Sequence, residues 1–398
     1  MVGPFGMESR GTMRVRALPM ASALVGLGHE VTMLLPPWRH PEEAGRRWEQ
    51  DGVAVENVRL PAAIPGVFQA VTALRLARRA LNEQPDVVHL FKPKAYSGLV
   101  HWLLHRLPRR WRPRLVVDAD DWEGPGGWNE VAGYSALQRR FFTWQERWGL
   151  AHADAVTVAS RTLEGLVWAM GASPERVVYV PNGIRSGAQP RPEEGSDTGC
   201  ILLYTRFFEF PVSRVIDLLR LVRERVPQAS LLVVGKGLFG EEEELFQMAA
   251  EAGFEVARPD PAAPGTEPHD RADVTYVGWV PPERLPRYFA QADVAIYPFE
   301  DSLVNRTKCA VKLLDLLAAG VPVVAEAVGQ NRESIRDGET GLLVQPGEVG
   351  SFAECVVELL TDAAFRRTLG QAARRDVRER FAWRDLVRDV EQAYGISA

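Results

Sequence analysis

Two lysines, Lys308 and Lys312, flank the start of a helical pattern in residues 307–325, T-K-C-A-V-K-L-L-D-L-L-A-A-G-V-P-V-V-A. The stretch reads as a loop, a helix opening near Cys309, a glycine stop at Gly320 and a buried strand beginning at Pro322. The open N–H groups and dipole at Cys309, Ala310 and Val311 favour a phosphate, and the two lysines add positive charge one turn apart. Asp315, three residues beyond Lys312, would accept two hydrogen bonds from ribose hydroxyls. Two further loops carry suitable groups: Tyr204-Thr205-Arg206-Phe207, with Arg214 soon after, and Gly235-Lys236-Gly237, whose glycines allow close backbone approach. Arg206, Arg214 and Lys236 would supply positive charge to a diphosphate. Each piece alone also has a structural reading, as a solvated arginine or an ordinary turn. Their order along one βα array is the specific feature.

The elements that must position these groups follow from periodicity. Residues 1–180 alternate apolar runs (30–35, 86–90, 114–118, 155–159 and 176–180) with helical patterns (14–27, 67–82 and 134–151), which predicts a mostly parallel sheet. Residues 186–199 are polar and rich in Pro and Gly, a linker composition. The alternation then restarts, with strands expected at 201–205, 230–235, 274–277, 294–297, 322–325 and 341–344 and helices at 212–226, 241–252, 282–290 and 311–319. The expected fold is α/β, with two Rossmann-like doubly wound domains facing a central cleft. Their expected bounds are 1–186 and 187–375, and residues 376–398 form a C-terminal helix packing back on the first domain through Phe381, Trp383, Leu386, Val387 and Val390. Residues 1–6 look like the end of a first strand: either that strand is very short or the natural start lies upstream.

Composition narrows the class. At 398 residues, 46% hydrophobic and 25% charged, the chain has globular composition rather than that of a disordered or fibrous protein. Cys200, Cys309 and Cys355 are scattered, which speaks against a disulfide framework or zinc module and suits a reducing cytosol. No apolar run approaches the length of a membrane span and no leader pattern opens the chain. The expected location is therefore cytoplasmic, with the inner face of a membrane as an option. The net charge of −5 divides unevenly, +5 on residues 1–186 and −10 on 187–398. A basic domain facing an anionic surface or substrate, beside an acidic one holding nucleotide by local contacts, accounts for the split. Of 47 basic residues only Lys92, Lys94, Lys236, Lys308 and Lys312 are lysines, the rest being arginine. Where guanidinium is the default, a surviving ammonium marks a position worth testing, although biased codon usage would give the same count.

Residues 312–325, then Gly329 and 333–344 (E-S-I-R-D-G-E-T-G-L-L-V), resemble the nucleotide-sugar signature of family 4 glycosyltransferases of the GT-B fold. Residues 177–184 (V-V-Y-V-P-N-G-I), 28–31 (G-H-E-V), 85–89 (P-D-V-V-H) and 153–160 (A-D-A-V-T-V-A-S) extend the resemblance over nearly the whole chain. It implies sugar transfer from a nucleoside diphosphate donor to an acceptor hydroxyl (lipid-linked, glycan or small molecule), with retention of configuration. It also implies no obligatory metal or other cofactor, a donor mainly on the second domain and an acceptor mainly on the first. By position, Arg206 is similar to the family's diphosphate-binding arginine, and Arg214 stands where a lysine is usual. Asp315 takes the place of the second glutamate of the E-x7-E motif, while the first is replaced by Thr307. Val280, in Gly278-Trp279-Val280, would cradle the nucleobase, and Gly6 and Gly11 belong to the Gly-rich first loop near the donor phosphates.

The first domain departs further. The family's histidine after the strand at 115–119 is replaced by Asp120, followed by Asp121. The stretch 118–129, D-A-D-D-W-E-G-P-G-G-W-N, puts Asp118, Asp120, Asp121, Glu123, Trp122 and Trp128 in one loop. Carboxylates and indole faces hold sugars, so this is expected to be the acceptor and reacting-sugar wall, a capped Gly-rich turn being the structural alternative. Asp118-Ala119-Asp120 also spells D-x-D, but it lies away from the expected diphosphate site and no metal is expected. Lys92 and Lys94 would neutralise developing diphosphate charge or contact an anionic acceptor, and His89 would hydrogen-bond substrate or stay satisfied beside the core. Arginines among apolar residues at 101–114 and 67–80 suggest an anionic membrane surface, against a solvated helical face. No nucleic-acid partner is expected, and the oligomeric state is left open. The expected enzyme is a metal-independent hexosyltransferase. The alternatives are a phosphorylase or nucleotide-sugar epimerase of the same fold, or a non-catalytic nucleotide- or glycan-binding protein.

Overall fold

The structure is a computed structural model that describes residues 1–7, 11–64, 66–184, 198–259 and 272–396. Most of the expected linker 186–199 lies outside these residues. The chain forms two compact units: Met1–Arg185 with Arg306–Cys309 and Phe381–Ala398, and Ser186–Asn305 with Ala310–Arg380.

In the first unit a π-helical turn, Met13–Ala17, runs into α1 (Leu18–Gly26). There follow β1 (Thr32–Leu35), β2 (Arg47–Gln50), β3 (Val53–Asn57), α2 (Val67–Asn82), β4 (Val87–Phe91), α3 (Ala95–His105) and β5 (Arg114–Ala119). The unit continues with α4 (Trp128–Val131), α5 (Ala136–His152), β6 (Ala155–Val158), α6 (Arg161–Ala169) and β7 (Val177–Tyr179). The orders β2-β3-β1 and β4-β5-β6-β7 are joined by Val2, which bridges Leu34 on one side and Leu90 on the other. All pairings are parallel except β2 with β3. That antiparallel hairpin was not expected from the apolar pattern. Its signal is Asp51-Gly52, both at positive φ (53° and 78°), as a two-residue type I′ turn requires.

The second unit holds β8 (Cys200–Thr205), α7 (Val212–Arg225), β9 (Ser230–Gly235), α8 (Glu241–Glu251), β10 (Val256–Ala257), β11 (Val274–Gly278), α9 (Leu285–Phe289) and β12 (Val294–Tyr297). After α10 (Leu303–Thr307), whose end belongs to the first unit, come α11 (Val311–Ala319), β13 (Val323–Glu326), α12 (Asn331–Ser334), β14 (Leu342–Val344), α13 (Val349–Thr361) and α14 (Ala363–Arg380). The sheet is fully parallel in the order β10-β11-β9-β8-β12-β13-β14. Its central strands β8, β9, β12 and β13 are apolar runs buried on both faces, as a sheet covered by helices demands. Helix α14 stays with this unit to Arg380, five residues past the boundary drawn from sequence. Gly370 explains the attachment: a Cβ there would lie 2.4 Å from Gly320 O, so α14 lies close against the end of α11. Helix α15 (Trp383–Tyr394) returns to the first unit, packing on α1 and β5–β7 with Trp383, Leu386, Val387 and Val390 buried.

Candidate functional site

The second sheet grows in both directions from β8, with β9 on one side and β12 on the other. Such a switch point leaves a crevice at the carboxyl ends of the two strands from which successive connections diverge. Thr205 ends β8 there and Arg206 follows. Phe207 adopts φ 70°, and its N–H donates to Thr205 Oγ1 at 2.7 Å. Gly235 ends β9 at φ 134°, where a Cβ would lie 1.9 Å from Thr205 O, so only glycine lets the two strand ends approach. Lys236 is exposed, and Gly237 N–H donates to Glu242 Oε2 at 3.0 Å. The helix expected to open near Cys309 begins at Val311, with Ala310 as N-cap. Lys312 Nζ sits 4.6 Å from the Tyr204 ring centroid, which puts the first turn of α11 against the end of β8. Asp315 follows on α11, half-buried. At the end of β11, Gly278 (φ 72°) precedes exposed Trp279 and buried Val280.

Arg214 differs from the expectation. Its Nη1 donates to both oxygens of Glu326, at 3.0 and 2.8 Å, so it compensates a carboxylate buried at the end of β13. Glu326 also accepts the N–H groups of Phe299 and Gly347, each at 2.6 Å. Glu326 was missed in sequence. Its signal is a single charge closing an otherwise apolar strand.

In the first unit, Ser160 Oγ donates to Thr307 O at 2.7 Å, and Asn182 donates through its N–H to Cys309 Sγ and through Nδ2 to Cys309 O at 2.8 Å. Lys308 is held between these anchored residues. Gly11 O opens the first-loop helix by accepting from Arg14 and Val15 N–H, and Gly6 is buried with ordinary contact to Pro37. Residues 8–10 of that loop lie outside the described residues.

The acidic loop separates into two kinds of carboxylate. Asp118 is fully buried: Arg16 Nε and Nη2 reach its two oxygens at 2.8 and 2.7 Å, and Thr157 Oγ1 donates at 2.6 Å. Burial would raise its pKa, but Arg16 and Thr157 outweigh that and lower it. His89 is likewise spent, with Nδ1 on Tyr394 OH at 3.0 Å and Nε2 on Thr157 Oγ1 at 3.1 Å, and burial drops its pKa to about 3. Trp122 is buried with its Nε1 donating to Pro125 O at 2.8 Å. Asp118 and Trp122, expected on the substrate wall, and His89, expected on substrate or satisfied beside the core, all have polar partners inside the fold. Each is sequestered because its polar atoms find partners inside the fold.

Lys92 organises the remainder. Its Nζ lies 2.9 Å from Asp120 Oδ1, 2.8 Å from Asp121 Oδ2 and 3.2 Å from Glu123 Oε1. Burial would lower its pKa, and the three carboxylates outweigh burial and raise it. Lys94 pairs with the other oxygen of Glu123 and lies over the Tyr134 ring. Thr12 Oγ1 donates to Asp120 Oδ2 at 2.6 Å. Asp120 is raised by burial and by Asp121 and Asp118 despite Lys92. Asp121 is lowered: burial opposes ionisation, but Lys92, Lys308 and the Trp128 indole prevail. Of the loop residues expected on the substrate wall, Asp121 and Trp128 are partly exposed. Among the described residues no cluster of His, Cys, Asp or Glu is arranged to hold a metal ion. Beneath the loop lies Glu146, missed in sequence, whose Oε1 accepts the Glu123 N–H at 2.9 Å. Its pKa is raised to about 8 by burial and the Glu123 charge.

Residues 11–183 match the family of Glycosyl transferase 4-like domains, and residues 201–362 match Glycosyl transferases group 1. A GDP-mannose-dependent alpha-(1-6)-phosphatidylinositol monomannoside mannosyltransferase of Mycolicibacterium smegmatis is 26% identical, over 89% of this chain and 87% of its own. Sucrose-phosphate synthase from Thermosynechococcus elongatus superposes with a TM-score of 0.73 at 21% identity, covering 99% of this chain and 98% of that one. Anabaena HepE, solved with UDP and glucose, gives 0.69 at 16% identity over 99% of both chains. The chain belongs to the family 4 glycosyltransferases and has the GT-B fold.

Proposed function

We propose that this glycosyltransferase moves a hexosyl group from a nucleoside diphosphate sugar to an acceptor hydroxyl, with retention of configuration and no obligatory metal. The observation that carries the reading is the crevice at the ends of β8 and β12, where Arg206 and the Lys312 end of α11 meet at the switch point of a parallel sheet. A leaving nucleoside diphosphate gathers negative charge as the glycosidic bond breaks. Two fixed cations and a helix start stabilise that charge without reorganising. The acceptor oxygen bonds to the anomeric carbon from the face the diphosphate leaves, and the hydroxyl proton passes to a donor phosphate oxygen. The UDP and glucose held by the Anabaena protein and the GDP-mannose dependence of the mycobacterial one support a nucleotide-sugar donor.

Product analysis by NMR tests both finer points. An α-linked product from an α-linked donor, formed at an undiminished rate in excess chelator, is expected. An inverted anomer would refute retention, and loss of turnover restored by a divalent cation would refute metal independence. Dependence of donor cleavage on inorganic phosphate in place of an acceptor would identify a phosphorylase instead.

A further inference from the structure

In the first unit α2 and α5 both pack against α3, forming one helical layer. The residues this layer turns to solvent are unusual in two independent ways. Of the large apolar side chains exposed in the described residues, Ile64, Val67, Leu74, Trp111, Leu137, Phe141 and Trp144 all lie on it or on the turns beside it. Leu137, Phe141 and Trp144 follow the i, i+4, i+7 rule along α5, with Leu137 79% exposed. Residues 135–141 are exposed without interruption, so the first turns of α5 have no cover among the described residues. A helix stripe of this kind normally faces a core, and here it faces out.

The second feature is charge. Helices α2, α3 and α5 together contain a single acidic residue, Glu146, and it is buried. Arg75, Arg78, Arg106, Arg109, Arg110, Arg139, Arg140 and Arg147 are exposed on the layer and its adjoining turn. Arg106 stacks over Trp102 at 3.6 Å and Arg110 over Trp111 at 4.5 Å from the ring centroids, so the cations flank the aromatic groups.

We propose that the α2–α3–α5 layer docks the protein on an anionic lipid bilayer, with Leu137, Phe141 and Trp144 entering the interface and the arginines meeting lipid headgroups. An amphipathic surface that pairs arginine with Trp, Phe and Leu gains from both acyl burial and headgroup attraction. The aliphatic Ile64, Val67, Leu74 and Leu137 favour acyl chains over nucleic acid, whose bases stack on aromatic faces. The segment 101–114 contributes differently from the sequence expectation: α3 ends at His105 and residues 106–113 form a turn before β5, so α5, not read as part of the surface, supplies the longest apolar stripe. The inference does not depend on the donor or the stereochemistry proposed above.

Co-sedimentation of the full chain tests it, using vesicles of phosphatidylcholine alone and of phosphatidylcholine with an equal part of phosphatidylglycerol. Binding to the mixed vesicles only, weakened by added salt, is expected. A triple substitution Leu137→Ser, Phe141→Ser, Trp144→Ser and, separately, Arg139→Glu, Arg140→Glu, Arg147→Glu should each weaken binding by about tenfold or more. Trp168→Ser, on the exposed face of α6, should leave it unchanged. Unaltered thermal melting of both triple variants would show that they fold. Failure of the wild type to bind mixed vesicles, or binding indifferent to both triple variants, would overturn the proposal. So would concentration-dependent dimerisation that the apolar triple variant abolishes, which would assign the layer to a second copy of the chain.

Discussion

Arg16 and Asp118 lie 102 positions apart in sequence and meet side-on in a buried ion pair, with Nε–Oδ1 at 2.8 Å and Nη2–Oδ2 at 2.7 Å. Arg16 also reaches Asn182 Oδ1 at 3.1 Å and Val180 O at 2.9 Å. Four residues earlier Thr12 grips Asp120, so a helical turn of the first loop is fastened twice to the end of β5. Both carboxylates of the D-x-D spacing therefore fasten the first loop. Replacing Arg16 by Leu or Asp118 by Ala leaves one buried charge unpaired, at an expected cost of about 3–5 kcal/mol. Chemical denaturation measures that loss. An unchanged midpoint and slope in either variant would contradict the structural role.

Gly235→Ala places a methyl where Thr205 O already stands and asks alanine to adopt φ 134°. The two strand ends must separate, and Arg206 moves with them. Weaker binding of nucleoside diphosphate, by about tenfold or more, should accompany a loss of stability of at least about 1 kcal/mol. Calorimetric titration reads the first and thermal melting the second. Wild-type affinity in the folded variant would separate the Gly235 turn from the donor site.

Glu146 carries its proton in the folded state below about pH 8, whereas an exposed glutamate loses it near the ordinary value. The folded chain thus binds one more proton than the unfolded chain across that window. By linkage, Glu146 makes stability fall as pH rises from the ordinary glutamate range to about 8, by roughly 1.4 kcal/mol per pH unit at most, and the slope ends above it. Glu146→Gln keeps a neutral group of the same shape and should remove this component. Urea midpoints for both proteins at pH 5, 6, 7 and 8 provide the check. Parallel pH dependence would show that Glu146 ionises normally.

Lys92→Met leaves Asp120, Asp121 and Glu123 crowded without their shared cation. At neutral pH the variant should lose about 3–5 kcal/mol. The carboxylates would then have folded-state pKa values above their unfolded ones, so part of the loss should be regained as pH falls toward 5. A deficit independent of pH would show that packing, not charge, is what Lys92 supplies.

Much of the second unit was legible because its strands are short apolar runs and its turns carry glycine. Ser230–Gly235, Val294–Tyr297 and Val311–Ala319 fall where periodicity puts them. The β2–β3 hairpin escaped because Arg47–Gln50 is an edge strand, with no apolar run to announce it. In the acidic loop, residue type pointed to sugar binding but could not say which groups face inward. Gly124 and Gly127 decide that for Trp122, since a Cβ at Gly124 would lie 2.4 Å from the indole and one at Gly127 would lie 2.3 Å from Trp122 O. The loop closes on its own tryptophan. The partners of Glu146 and Glu326 were not legible for a related reason: they lie 23 and 112 positions away, at Glu123 and Arg214.

The central claim is that Arg206, at the β8–β12 switch point, receives the diphosphate of a nucleotide sugar. Its most direct test is nucleoside diphosphate release from a panel of nucleotide sugars and acceptors, comparing wild type with Arg206→Ala. The account predicts acceptor-dependent release with at least one donor, and a fall of at least about a hundredfold in turnover for the folded variant. Near-normal turnover by Arg206→Ala, or no release from any donor, would contradict it.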